Sequence, residues 1–279
     1  MSAAWRRFVA HRLALAGLVL VVGLAVLAGL ARQLAPHDPI RQELPHALAG
    51  PSREFPLGVD EFGRCILSRI LYGARLSLLV GVIATAIGAV AGVLLGLLAG
   101  YFPRLDTPVM RAMEVLLAFP SILLAIAIVA ALGPSLVNVM IAVGLRSIPA
   151  YARLTRSMVL SLKELEFVQG AHALGAGHAR VLLRHILPNS VSPLVVFSSM
   201  QVATSILLAA ILSFLGLGVQ PPTPEWGKMV SDGRAYLLEA PHVSLFPGVA
   251  IFLTVLGFNC LGDGLRDALD PRMRAGTGD

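Results

Sequence analysis

The sequence predicts an all-α, polytopic membrane protein with six transmembrane helices, and three observations predict it. Apolar residues make up 56% of the 279 residues and charged residues only 14%, with a mean hydropathy of +0.79. A water-soluble domain of this size has too little interior to hide that much apolar surface. The apolar residues are gathered into long blocks, and lysine and arginine fall mostly between the blocks, as they do when charge sets membrane topology. The formal charge of +6 comes with no basic run interleaved with aromatics, so no nucleic-acid partner is expected.

Crossing the hydrocarbon core takes about 20 apolar residues. Six stretches qualify: 13–31, 76–100, 115–132, 136–155, 194–218 and 244–262. The first follows "MSAAWRRFVAHR" and has the charge arrangement of a signal peptide, but its apolar run is too long for one and further spans follow, so an uncleaved helix is expected. The fourth is interrupted by Arg146 and Pro149. Residues 1–75 form the first helix and its outer connection, and residues 76–279 the main transmembrane domain, with a long inner connection at 156–190.

Orientation follows from counting basic residues. With the N-terminus inside, thirteen Lys and Arg lie in cytoplasmic segments, Arg6, Arg7, Arg272 and Arg274 among them, and seven lie outside. Arg32 and Arg146 sit at membrane edges. The excess places both termini in the cytoplasm. The first outer connection weakens it, because Arg41, Arg53, Arg64, Arg69 and Arg75 all fall there.

The inner connection between the fourth and fifth spans holds a polar, helix-forming stretch, "EFVQGAHALGAGHARVLLRHILPN" at 166–189. Leu162, Leu165, Val168, Ala173 and Leu174 fall near helical spacing over 162–175, and Gly175 is placed to end that helix. A second short helix follows, and Pro188 marks a turn into the fifth span.

This stretch resembles the cytoplasmic signature of ABC-importer permeases, Glu-Ala-Ala, three residues, Gly, nine residues, Ile-x-Leu-Pro. Here the matching positions are Gln169, Gly170, Ala171, Gly175, His185, Leu187 and Pro188. Gly175, Leu187 and Pro188 keep the register, whereas Gln169, Gly170 and His185 depart from it. Longer blocks, "FPLGVDEFGRCILSRILYGARLSLLVG" (55–81), "LSFLGLGVQPPTPEWGKMVSDGRAYL" (212–237) and "FPGVAIFLTVLGFNCLGDGLRDALDPR" (246–272) among them, resemble the C-type permease subunit of dipeptide, oligopeptide and nickel ABC importers. The resemblance implies a type I importer permease fold in the bacterial inner membrane. Its implied cargo is di- or oligopeptides, with nickel chelates as the alternative. Implied partners are a homologous B-type permease, two ATPases that hold ATP and Mg, an extracytoplasmic substrate-binding protein and the surrounding lipid. Leu165, Glu166 and Leu174, with the signature positions, then form a coupling helix that docks on an ATPase.

The residues themselves fit a pore powered from elsewhere. No Gly-x-x-x-x-Gly-Lys-Ser/Thr loop is present; "PPTPEWGKM" has Gly227 and Lys228, but Met229 follows and no glycine lies five residues earlier. Gly88, Gly92, Gly96 and Gly100 make one flat helix face at i, i+4 spacing, suited to close packing within the chain or against a partner subunit. Ser198, Gln201 and Ser205 share a face of the fifth span, flanked by Ser199 and Thr204, which fits either a water-filled path or interhelical hydrogen bonds.

Other polar residues offer less. Cys65 and Cys260 are too far apart in sequence to suggest a disulfide framework or zinc site. The spacings of His172, His178 and His185 do not place ligands on one helix face, and no metal site or bound cofactor is expected. An intramembrane enzyme would need paired acids, a Ser/His set or a His-x-x-x-His site at membrane depth. Glu114 and Asp263 lie near span ends with no partner evident from spacing, so no catalytic residue is assigned. The outer connection 219–243, with Pro221, Pro222, Pro224 and Trp226, either shapes the mouth of the path or forms a cap whose Trp226 anchors at the membrane interface.

Overall fold

The computed structural model describes Phe8 and residues 11–269; Arg6, Arg7, Arg272 and Arg274 of the charge count lie outside the described residues. The main helices are α1 Arg12–Gly29, α2 Ile66–Tyr101, α3 Pro103–Ala118, α4 Ser121–Leu132, α5 Leu136–Leu162, α6 Glu166–Ala173, α7 His178–Phe214, α8 Trp226–Gly233 and α9 His242–Leu269. Four of them, α1, α2, α7 and α9, are long and apolar enough to cross a membrane, and the bent pair α3 and α4 makes a fifth candidate.

Two predicted spans differ from the observed helices. The stretch 115–132 is not one helix: it bends by 90° between α3 and α4. Pro120 disfavours a helical Phe119, which is extended at φ −87°, ψ 136°. The stretch 136–155 continues to Leu162 as one helix of 27 residues, with Pro149 inside it. Arg146 therefore lies ten residues inside a helix and not at the end of one. At the start of α2 the helix begins at Ile66, ten residues before the apolar run at 76.

The helices run alternately between two ends of the bundle. Arg75 near the start of α2 donates to the carbonyls of Ala28 (2.5 Å) and Gly29 (2.8 Å), capping the end of α1. His11 Nε2 at the start of α1 lies 3.4 Å from Asp267 Oδ2 near the end of α9. The beginning of the first helix and the end of the last thus share one end with Tyr101 and with α6.

The centre is the α2–α5 contact. A Cβ on Gly92 would lie 2.6 Å from the Ile148 carbonyl, and one on Gly96 would lie 2.6 Å from Thr155 Cβ. Gly88 faces Gly144 and Ser147, and Gly100 faces Val159, so the whole glycine row lies against α5 within this chain. Three apolar layers fill the bundle. Val80, Ala84, Val129, Val143 and Leu212 make the middle one. Ile66, Trp226, Met229 and Val243 make one end, and Leu97, Val159, Val168, Val181 and Ile186 the other.

The first of these ends is a built cap, and it holds Arg64 and Arg69, two of the five arginines of the first outer connection. Asp60 accepts from Arg64 Nε at 2.6 Å and from the Arg64 backbone N–H at 2.9 Å, and Arg69 Nε lies 3.4 Å from the same carboxylate. Arg69 also donates to the carbonyls of Pro39 (3.0 Å) and Pro222 (3.3 Å), tying the first connection to the segment 219–243 that precedes α9. Burial pushes the Glu61 carboxyl up, with Asp60 beside it adding to the shift. Trp226 is completely buried and donates to the Ile70 carbonyl at 3.0 Å. It is a core residue of the cap and not a membrane-interface anchor. Cys65 and Cys260 are both free.

Candidate functional site

The helix α6 begins at Glu166, with Leu165 as its N-cap, and not at Leu162, because the chain turns at Lys163 and Glu164 first. Gly175 ends it. At φ +82°, this residue lets its N–H bond the His172 carbonyl (2.9 Å) while the Ala176 N–H bonds Ala171 (3.0 Å), the paired bonds of a Schellman turn. The same arrangement ends α7 at Gly216, also at φ +82°.

One face of α6 is inside and one is outside. Val168 is fully buried against Leu97, Val159 and Val181. Leu165 (46% exposed), Phe167 (45%) and Leu174 (90%) face outward beside the exposed Glu166. Phe167 was missed by the spacing argument, since it falls off the row that Leu165 and Val168 begin. Gln169 reaches back to the Glu164 carbonyl at 3.1 Å. Ala171 is half-buried, and Gly170 is open, with nothing within 4 Å of where a Cβ would stand. The alanine of the signature would fit there without displacement.

Pro188 does not mark a turn. The chain is helical from His178 through Phe214 and widens to a π-helix at Leu182–Ile186, directly before Leu187 and Pro188. Proline has no N–H to close the ordinary α bond, and the wider turn carries the helix past that gap. Asn189 Nδ2 and Ser190 Oγ donate to the His185 and Ile186 carbonyls at 2.6 and 3.0 Å. Leu187 is half-buried and Pro188 exposed.

The turn at Gly175 has a second effect. It folds His178 back beside His172, and both rings meet Tyr101 at the end of α2. Tyr101 Oη lies 2.8 Å from His172 Nε2 and 3.0 Å from His178 Nδ1. Sequence spacing had kept the two histidines apart. His185 is not part of this group; its ring lies 6.4 Å from that of Phe167. Among the described residues, no group of three His, Cys, Asp or Glu is gathered as for a metal ion.

The polar stripe on α7 divides. Ser198 Oγ accepts from the Tyr151 hydroxyl of α5 at 2.8 Å, and Gln201 is half-buried. Ser205 is completely buried, 3.2 Å from Thr85 Oγ1 of α2. In this structure Ser205 is an interhelical hydrogen-bonding group and does not line a water-filled path. Ser199 and Thr204 bond carbonyls of their own helix, at Val196 and Met200. Toward the α6 end, a cavity of about 490 Å³ opens between α3 and α5, lined by Asp106, Arg111, Glu114, Arg153 and Arg156. Arg156 and Asp106 form a two-pronged pair at 2.5 and 2.6 Å across it.

At the opposite end Glu225 caps α8, accepting from the N–H groups of Gly227 (3.0 Å) and Lys228 (2.9 Å). Burial raises its carboxyl above the usual range, opposed by those N–H groups and by the Ser213 hydroxyl.

Residues 92–275 match the model of a family described as binding-protein-dependent transport system inner membrane component, and residues 1–51 match the N-terminal TM domain of oligopeptide transport permease C. The glutathione transport system permease protein GsiD of Pectobacterium atrosepticum is 50% identical over 97% of this chain and 91% of its own length. The dipeptide transport system permease protein DppC of Alkalihalophilus pseudofirmus is 48% identical over 98% of this chain and 90% of its own. In fold, the chain is similar to the MetNI methionine ABC transporter in its inward-facing conformations, with a TM-score of 0.57 at 18% identity, over 72% of this chain and 97% of that one.

Proposed function

Since the chain belongs to the family of binding-protein-dependent transport system inner membrane components, we propose that it forms half of the translocation path of an ABC importer for di- and oligopeptides or similar compounds such as glutathione. It is a transport subunit and not an enzyme. The family binds no cofactor, and ATP is held by the partner ATPase. The single observation that carries the substrate class is the likeness to glutathione and dipeptide permeases over almost the entire chain. That likeness favours peptide-like cargo over nickel chelates.

The chain crosses the inner membrane six times, with both termini in the cytoplasm. The sixth crossing is α5, whose 27 residues reach about 40 Å at 1.5 Å each. The His11–Asp267 contact supports an even number of crossings, because it puts the first and last helices together at their outer chain ends. A homologous B-type permease completes the path. Residues 1–75 and 76–279 are the two parts of this chain, and the matches to 1–51 and 92–275 fall on either side of that division.

On the cytoplasmic side α6 is the coupling helix. Leu165, Phe167 and Leu174 enter a groove on the ATPase, Glu166 and Gln169 lie at its rim, and Gly170 and Ala171 allow close approach. Gly175 fixes the turn behind the helix, and Leu187 and Pro188 pass its displacement into α7. Burying three apolar side chains contributes more than an exposed pair of Glu166 with a basic residue, which is worth about 0–1 kcal/mol. Ser198 and Gln201 face the path. Uptake of a labelled dipeptide by vesicles holding this chain, its B-type partner, the ATPases and the binding protein tests the reading. Dipeptide uptake driven by ATP is expected, and ATP-driven uptake of a nickel chelate without the dipeptide would overturn it.

A further inference from the structure

We infer that Arg146 binds a carboxylate in the translocation path, and that it receives the C-terminal carboxylate of a peptide on its way through. The inference rests on the peptide reading above.

Arg146 stands ten residues into α5, about 15 Å from the start of the helix. Its Nε and Nη2 are shut off from solvent and have no hydrogen-bond partner, and no ion pair or ring contact is formed by this side chain among the described residues. A guanidinium stays charged and leaves its planar fork of donors unsatisfied, so such a position persists where something else fills the fork. An arginine at membrane depth facing protein or water marks a ligand pathway more often than a structural accident.

The direction of the side chain is set by register. Arg146 is half-buried, three residues beyond Val143 and seven beyond Val139, both buried in the middle layer of the bundle, so its side of α5 runs from that layer toward the exposed Arg153. Seven residues further along the same side lies Arg153, which lines the cavity of about 490 Å³ together with Arg111 and Arg156. Arg156 is already paired with Asp106, and Arg111 lies 3.5 Å from Glu114. Arg146 and Arg153 are thus the cations of this row left for a passing anion. Two parallel N–H donors match a carboxylate in geometry, and the next arginine two turns nearer the cytoplasmic end supplies the step that follows.

The test uses the complete importer in vesicles with its binding protein. Labelled Ala-Ala is followed with unaltered protein, Arg146→Gln and Arg146→Lys, alongside hydrolysis of ATP stimulated by the loaded binding protein. Arg146→Gln should lower dipeptide flux at least tenfold while stimulated hydrolysis stays within twofold, and Arg146→Lys should recover part of the flux. Flux within twofold of the unaltered protein in Arg146→Gln overturns the inference and leaves the peptide reading standing. Loss of the B-type subunit from the purified Arg146→Gln complex also overturns it, since the carboxylate then belongs to that subunit. Absence of dipeptide uptake by the unaltered importer overturns the peptide reading and this inference together.

Discussion

The phenol of Tyr101, the last residue of α2, meets Nε2 of His172 on α6 at 2.8 Å, and the same oxygen meets His178 Nδ1 at 3.0 Å. One hydroxyl can donate to one ring and accept from the other, so a single side chain ties the end of a membrane helix to both sides of the Gly175 turn. Replacing Tyr101 by Phe removes both bonds and leaves the ring packing. With about 0.5–1.5 kcal/mol net for each bond, amide exchange over 166–178 should quicken roughly tenfold while the membrane helices keep their protection. Unchanged exchange there would mean that the apolar contacts of Val168 alone hold α6.

Gly175 at φ +82° occupies the left-handed region, where a β-branched residue is strained by roughly 1–2 kcal/mol or more. Gly175→Val should abolish transport by loosening the ATPase, with insertion into the membrane intact; Gly175→Asn, which tolerates that conformation, should retain most of it. Co-purification of the ATPase at unaltered levels with Gly175→Val, and transport preserved, would refute the coupling role.

The two ends of the α7 stripe should separate in experiment. Gln201→Leu should reduce substrate flux severalfold in an assembled complex. Ser205→Ala, which loses only the 3.2 Å bond to Thr85, should cost about 1 kcal/mol of stability and leave flux near normal. Equal flux in Gln201→Leu and the unaltered protein would move the path away from this face.

Asp60→Asn leaves Arg64 and Arg69 buried without their shared carboxylate. Breaking one side of a buried ion pair costs about 3–5 kcal/mol, so the purified protein should melt well below the unaltered one. A melting temperature within a degree or two of the original would show that the carbonyls of Pro39 and Pro222 suffice for Arg69.

Orientation is open to cysteine labelling in a background without Cys65 and Cys260. His178→Cys should react only with reagent from the cytoplasm and Leu238→Cys, at a fully exposed position, only from outside. Position 225 is unsuited to this test, because Glu225 is buried under the cap. Reversed labelling would invert the assignment of the two ends.

Composition and block length were enough to place this chain in a membrane, and the inner connection was legible as a helix ended by Gly175 because both signals are local. Apolar spacing along a helix and a glycine after it depend on neighbours within a few residues. The glycine row of α2 announced a close contact in the same way, although not with which helix. Tertiary structure decided what local pattern leaves open. Ser205 and Gln201 share a face in sequence, yet Ser205 is taken up by Thr85, 120 positions away. Arg64, Arg69 and Arg75 of the first outer connection read in sequence only as charges, and in the structure Asp60, Pro39 and Ala28 hold them. His172 and His178 looked separate by spacing and converge on Tyr101 once the chain reverses. In each case the deciding partner comes from a distant segment, and the energy of a buried polar group depends on whether that partner is present.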